Sequence, residues 1–345
     1  MPKPKHSYPK IGVYSSVSST NMSDYSAEVM ALRDLGISSV YVDEDRDALV
    51  SAAAMISGSK DVEIATGWCS PGRAPVLLAK AAVWLDAFSG ERFTLGIGIN
   101  SPVVGSFLGF AWADRHAFLQ DYLLAVRRAL YAAPESSIQY DGPFFKYVAR
   151  GSHDADGRRA GAPIMIKVTD LPQFRMVGAA CDGLVLGQMA PFAAYAAAGP
   201  DLMRAGAESA KRQLPQIRVN KMIWTIVDDD SKKAIGRLQG LLASKIIDKS
   251  FDNKELAVQA GFSDEVDEIS ARFAAGDKVA AAQAVTEKMW RAYGLAGTPE
   301  EVRAQAAGYA SKVDTLVCMG SMFGLADFAT YMREHHRITS AIAPR

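Results

Sequence analysis

The sequence predicts a closed α/β barrel of the (β/α)8, or TIM, type, with insertions after strands four and seven. Three observations carry that prediction. Short apolar β-type runs alternate with amphipathic helical patterns along the whole chain, the pattern of parallel β/α architecture. Eight such runs can be counted, whereas a doubly wound open sheet needs only about five or six. The chain has 345 residues, 49% of them apolar, which suits one barrel with a large buried core and insertions. It is therefore taken as a single domain over residues 1–345.

The elements follow in order. The first run is Ile11 to Val17. A helix succeeds it, with Ala27, Met30, Ala31 and Leu35 on one stripe and Gly36 closing it. Ser38 to Val42 is the second strand and Val62 to Trp68 the third. Phe93 to Ile99 is the fourth, reached through a helix that ends at Ser89-Gly90. A long helix then carries Trp112, His116, Leu119, Leu123, Val126 and Leu130 at helical spacing. Residues 133–162 are polar and turn-rich, with Asp141-Gly142-Pro143 and Asp156-Gly157, and suggest an excursion over the rim. Ile164 to Val168, Gly183 to Leu186 and Val219 to Val227 are strands five, six and seven. Asp228 to Asp230 opens the next helix, where acidic residues suit the helix dipole. Residues 244–294 form a helical, charge-rich insertion. Thr298-Pro299-Glu300-Glu301 is a helix start, with Thr as N-cap, Pro at the first position and Glu three residues on. Asp314 to Met319 is the eighth run, and a last helix covers about 324–336.

Composition excludes several function classes. The chain holds 38 basic and 38 acidic residues, for a formal net charge of zero, which offers no dedicated nucleic-acid surface. Its three cysteines lie far apart in no metal spacing, as expected of reduced thiols in a cytoplasmic protein. Neither a secretory signal nor a run long enough to span a bilayer is present, so no membrane partner is expected.

The pair Gly96 and Gly98 lacks the third glycine of a dinucleotide fingerprint, and Ser101-Pro102 follows instead of a helix start. Glycines that let a ligand approach the backbone are the better account of the pair. His335 and His336 are adjacent, point to different sides of a helix, and are expected to be solvated tail residues rather than metal ligands. His116 falls on an apolar stripe and is expected to be a packed histidine. No nucleophile elbow of the Gly-x-Ser-x-Gly type occurs. The strand exits, where such barrels place their chemistry, are rich in hydroxyls and amides and poor in histidine and clustered carboxylates. That mouth suits a cofactor that does the chemistry itself and suits a metal badly.

The run from Thr66-Gly67-Trp68-Cys69-Ser70-Pro71-Gly72-Arg73-Ala74-Pro75 through Leu85-Asp86, Phe88-Ser89-Gly90-Glu91-Arg92 and Leu95-Gly96-Ile97-Gly98 resembles the bacterial-luciferase-like superfamily. So do Ala162-Pro163-Ile164, Cys181-Asp182-Gly183-Leu184-Val185-Leu186 and Ala296-Gly297-Thr298-Pro299-Glu300-Glu301-Val302, and the matches keep their order over nearly the whole chain. The short loop Asp43-Glu44-Asp45-Arg46-Asp47 is more similar to the methylene-tetrahydromethanopterin reductase-like branch, which uses the deazaflavin coenzyme F-420.

The resemblance implies hydride transfer between F-420 and a small organic substrate, with an FMN-dependent monooxygenase as the alternative and a non-catalytic cofactor-binding barrel as a third reading. It implies a homodimer packed through helices on the barrel's side. It also implies a non-prolyl cis peptide at the end of strand three, among Gly67, Trp68 and Cys69, a feature that costs about 3–4 kcal/mol. The cofactor contacts expected are Ser15, Gly67, Trp68, Cys69, Asn100, Lys167, Thr169 and Gln188, with Trp68 either a core aromatic or a backstop for the ring. Asp43 and Glu44 stand where many members carry a histidine and are the candidate proton donors. Lys167-Val168-Thr169-Asp170-Leu171-Pro172 replaces the family's small-residue phosphate loop, and there Lys167 and the Thr169 hydroxyl would serve the phosphate. No metal is expected.

Overall fold

The computed structural model describes residues 8–15, 22–42, 44, 47–99, 112–133, 136–151, 161–320 and 328–342. In chain order the strands are β1 (Lys10–Ser15), β2 (Ser39–Val42), β3 (Glu63–Thr66), β4 (Phe93–Ile97), β5 (Ser137–Asp141), β6 (Lys146–Arg150), β7 (Ile164–Val168), β8 (Gly183–Leu186), β9 (Arg218–Val227), β10 (Gly294–Gly297) and β11 (Thr315–Met319). The helices are α1 (Met22–Asp34), α2 (Ala48–Gly58), α3 (Pro75–Ser89), α4 (Arg115–Leu130), α5 (Gln173–Ala180), α6 (Phe192–Ala196), α7 (Gly199–Ser209) and α8 (Ser231–Ile247). They continue with α9 (Asn253–Gln259), α10 (Ser263–Ala274), α11 (Lys278–Gln283), α12 (Glu287–Tyr293), α13 (Pro299–Ala307) and α14 (Phe328–Ile342).

Eight strands pair in parallel in the ring β1-β2-β3-β4-β7-β8-β9-β11, and the β11–β1 and β8–β9 pairings close it. The fold is the expected (β/α)8 barrel. Closure removes every sheet edge within the ring, so the strands can be apolar on both faces, and β2, β4, β7 and β11 are buried at every position. Inside the ring lie Tyr41, Met165, Val185, Met222 and Trp224, all buried. Asn220 donates its side-chain amide there to the Tyr41 hydroxyl at 2.5 Å.

Gly96 is required by the barrel wall rather than by a ligand. A Cβ there would lie 2.0 Å from the Thr66 carbonyl oxygen, and the Thr66 hydroxyl clasps the Gly96 amide and carbonyl at 2.8 and 2.9 Å. Asp182, in the Cys-Asp-Gly-Leu run, accepts from the Ile164 amide, the Tyr131 hydroxyl, Arg127 and Arg212. It ties the start of β7 to α4 and the chain beyond α7, which explains the motif structurally.

The two interruptions have definite forms. β5 and β6 make an antiparallel hairpin that lies along α4, where the Tyr147 hydroxyl donates to the Ala125 carbonyl and the Tyr140 hydroxyl to the Asp121 carboxylate, at 2.6 and 2.5 Å. After β9, helices α8 to α12 lead into β10, an unanticipated ninth strand that extends β9 outside the ring. The predicted capping box at Thr298 and Glu301 is present, and Asp230 caps α8 through Lys232 and Lys233 amides.

The expectation of a solvated His335 is overturned. The last helix runs on to Ile342, and His335 turns inward to 1% exposure against the Tyr331 ring, centroids 4.2 Å apart. Burial drives its imidazole down to about 3, whereas His336 is exposed. Beside it Glu28 of α1 is fully buried. Tyr331 donates to Glu28 Oε1 at 2.5 Å, the Ser15 hydroxyl also bonds the carboxyl, and burial lifts that group to about 7.

Candidate active site

The C-terminal ends of the barrel strands open into a cavity of about 340 Å³, a size that suits a small molecule. Its barrel side carries Ile99, Lys167, Thr169, Asp170, Gln188 and Met189, with Arg115 from α4 and Gln173 from α5. The opposite wall is the start of the insertion after β9, with Phe251, Asp252, Asn253, Glu255, Leu256 and Gln259. Three of the expected residues, Lys167, Thr169 and Gln188, therefore meet at one opening. Gln188 Oε1 is buried there with no hydrogen-bond partner among the described residues, a lone acceptor waiting for a donor.

The other expected residues surround the floor. Trp68 stacks on Tyr14 with centroids 5.2 Å apart, and the Lys167 ammonium sits 3.8 Å from the indole centroid. The indole thus meets both a stacked ring and a cation, and the cation–π contact helps to hold the lysine. Gly67 donates its amide to the Val42 carbonyl and Cys69 to the Gly96 carbonyl, both at 2.7 Å. The peptide bonds from 66 to 70 are trans, which corrects the expected cis bond. The chain leaves β3 with its amides already paired, so a cis link is not needed to satisfy them. Ser15 turns its hydroxyl away from the mouth to Glu28. Glu44 accepts the Ser70 amide through both carboxylate oxygens, at 2.8 and 2.7 Å, and the Ser70 hydroxyl as well. Asp43 and Asn100 lie outside the described residues.

The altered loop after β7 is folded on itself. Gln173 Oε1 accepts from the Thr169 amide at 2.6 Å, from the Thr169 hydroxyl at 3.3 Å and from the Asp170 amide at 3.3 Å. These donors are satisfied by the protein's own side chain. The cationic residues lining the cavity are Lys167 and Arg115, the latter 4.0 Å from Asp170.

Two features escaped sequence reading. His116 is not a core histidine. Its Nε2 lies 2.7 Å from Asp170 Oδ2, and their side chains are 29% and 15% exposed, with Arg115 4.0 Å from the same oxygen. Asp170 lines the cavity and His116 stands behind it, nearer solvent. The partners are 54 positions apart, so no local pattern marks them. Lys221 is fully buried in the middle of β9 and donates to the carbonyls of Gly187 and Met222, at 2.8 and 2.7 Å. Burial, with a smaller contribution from Lys167, pulls its ammonium down to about 7. Asn220-Lys221 inside the apolar run Val219 to Val227 was a signal that could have exposed it.

Among the described residues no group of three His, Cys, Asp or Glu side chains could hold a metal ion, and no helix is long and apolar enough to cross a membrane. The profile of the family Luciferase-like monooxygenase matches residues 18–315. The chain belongs to that family. Its members are oxidoreductases, so the chain is an enzyme, and the non-catalytic reading is set aside. A protein of Mycobacterium tuberculosis described as a coenzyme F-420-dependent oxidoreductase is 24% identical over 323 residues, covering 87% of this chain and 92% of that one. The 5,10-methylenetetrahydromethanopterin reductase of Methanolobus tindarius is 21% identical over 265 residues, 76% of this chain and 78% of that one. The solved structure of the F-420-dependent tetrahydromethanopterin reductase of Methanopyrus kandleri superposes with a TM-score of 0.71 at 16% identity, covering 97% and 98% of the two chains. This last likeness shows the shared barrel.

Proposed function

We propose that this luciferase-like enzyme transfers hydride between coenzyme F-420 and a small organic substrate, as a reductase of the methylene-tetrahydromethanopterin reductase-like kind. The observation that carries the reading is the mouth itself, an opening lined by amides, by the cations Lys167 and Arg115 and by the carboxylates Asp170, Asp252 and Glu255, with the unpartnered acceptor Gln188 Oε1. A deazaflavin or flavin ring has the N–H that such an acceptor lacks, and its phosphate needs the charge that Lys167 and Arg115 carry, so the residues present fit the group. Full-length similarity to proteins described as F-420-dependent supports the choice of cofactor.

When bound, the cofactor supplies the hydride chemistry. The protein's part is orientation, exclusion of water and proton handling. Gln188 Oε1 would accept from the ring N–H. Tyr14 and Trp68 hold Lys167 at one position. Ile99, Met189 and Leu256 supply apolar wall. Glu44 is held as an acceptor by Ser70, so the proton is moved instead at Asp170, with His116 Nε2 behind it as the reservoir.

The second reading, an FMN-dependent monooxygenase, is favoured by the family's own description. Separate titrations with F-420 and FMN decide between them. Tight binding of F-420 and weak binding of FMN supports the first. Preference for FMN, with oxygen consumed by the reduced complex, supports the second. If neither binds, both are wrong.

We further propose a cytoplasmic homodimer. Leu77, Trp84 and Phe88 make an exposed apolar stripe on α3, with Phe88 74% exposed and its ring 5.8 Å from that of Trp84. Such a patch on a helix marks an association surface, and three buried free cysteines suit a reducing compartment.

A further inference from the structure

The wall that the insertion gives the cavity differs in chemistry from the wall that the barrel gives it. On the barrel side Lys167 is held over the Trp68 ring. It also packs against Gly187, where a Cβ would lie 3.2 Å from its Cε. Arg115 stands 4.0 Å from Asp170. Both cations of the cavity therefore belong to the barrel side. The insertion side carries Phe251, Asp252, Glu255 and Leu256. Neither of its carboxylates has a hydrogen bond or ion pair among the described residues. The neighbouring lysines of the insertion, Lys249 and Lys254, are exposed and do not line the cavity.

Asp252 is the more telling of the two acids. It occupies the N-cap position of α9, where an aspartate ordinarily accepts from the first amides of the helix. Asp47, Asp230 and Asp277 do so on α2, α8 and α11. Asp252 makes no such bond, and it borders the cavity instead. Glu255 follows three residues later and borders the same space, so two like charges share one side of a helical turn. That arrangement is unfavourable by itself. The helix dipole favours acids in a first turn but does not require them to face a cavity. Between them in sequence, Asn253 is buried and donates its side-chain amide to the Lys245 carbonyl of α8 at 2.9 Å, which anchors the segment. Phe251 adds an aromatic side chain that no ring or cation covers among the described residues. Two uncompensated carboxylates beside an open aromatic ring, with Leu256 as apolar surface, are the groups that recognise an organic cation.

We infer that the substrate of this cavity is an organic cation, its ammonium or guanidinium group held by Asp252, Glu255 and the Phe251 ring and its apolar body by Leu256. The inference rests on the proposed function, which puts the cofactor on the Gln188 side, and adds the chemical class that the opposite wall selects. The charged group is the handle by which the substrate is oriented. A substrate bearing a carboxylate meets repulsion at the same wall.

The test uses three probes of matched length, pentylammonium, pentanol and pentanoate, at neutral pH and low ionic strength. Their dissociation constants are read by ligand-observed NMR titration on the purified protein, and again on protein loaded with whichever of F-420 and FMN it binds. Pentylammonium should bind about tenfold more tightly than either other probe, the size of two half-exposed ion pairs together. In the double variant Asp252→Asn/Glu255→Gln that preference should vanish while pentanol affinity stays unchanged. Added salt should weaken the ammonium alone. No measurable binding of pentylammonium, equal affinities for the three probes, a preference for pentanoate, or a preference that survives in the double variant overturns the inference. Should the double variant not fold, Glu255→Gln, at an exposed position, is read by the same criteria, with a loss of about threefold expected. Protein that takes neither F-420 nor FMN in the separate cofactor titration overturns the cofactor reading, and with it the role of the cation as substrate.

Discussion

Replacing Glu28 by glutamine tests whether the α1–α14 seam holds a protonated carboxyl. Glu28 is fully buried, shares one oxygen with Tyr331 and leaves Oε2 without a partner. Burial is the largest influence and lifts the folded value from 4.5 to about 7. The sign follows from linkage. Below pH 4.5 both folded and unfolded chains hold the proton, and the group's stabilising contribution is complete. Between 4.5 and 7 the unfolded chain ionises while the folded chain does not, so stability falls as pH rises through the folded value. Moving the carboxyl from 4.5 to about 7 corresponds in full to roughly 3 kcal/mol. Glu28→Gln has no proton to lose. Its stability relative to wild type should therefore rise by roughly 2.5 kcal/mol between pH 5 and pH 8, most of that total, read from urea unfolding at matched ionic strength. His335 has the opposite dependence, its contribution being lost as pH falls from 6.5 through about 3, but it is present in both proteins and cancels in the difference. A stability difference that stays constant over this range would refute the reasoning and leave Glu28 ionised in the fold.

Other outcomes follow from the mouth and the surface. His116→Gln and Asp170→Asn should each lower turnover by roughly 10²-fold or more, the usual size of a proton-transfer contribution, while cofactor affinity stays unchanged. Loss of binding in parallel with turnover would make the pair structural. Phe88→Asp on α3 should convert a dimer to a monomer in sedimentation velocity without loss of helicity, and a wild type that sediments as a monomer removes the interface.

Much of this architecture was legible because it is local. Ile164–Val168 and Gly183–Leu186 are apolar runs closed by turns, and their bounds coincide with β7 and β8. The Thr298 capping box is four consecutive residues satisfying one helix end. β10 was missed because Gly294–Gly297 begins where α12 ends; it becomes a strand only by pairing with Trp224–Val227 of β9. His335 was misplaced because adjacency says two histidines diverge without saying which faces the barrel.

At the mouth, the family resemblance and the order of the strands named Lys167, Thr169 and Gln188, since each lies at or just past the end of a barrel strand and strand exits converge. What it could not supply is orientation. Ser15 and Glu44 also stand at strand exits, yet their side chains are spent on Glu28 and Ser70. The sequence by itself determined the eightfold alternation, the order of the strands and the family, because periodicity and motif spacing are carried by neighbours in the chain. Only the tertiary structure decided that His116 meets Asp170, that Glu28 is shut in with Tyr331, and that Lys221 and Lys167 flank one peptide. Those contacts join residues far apart in sequence, and their energies depend on burial, which exists only once the barrel has closed.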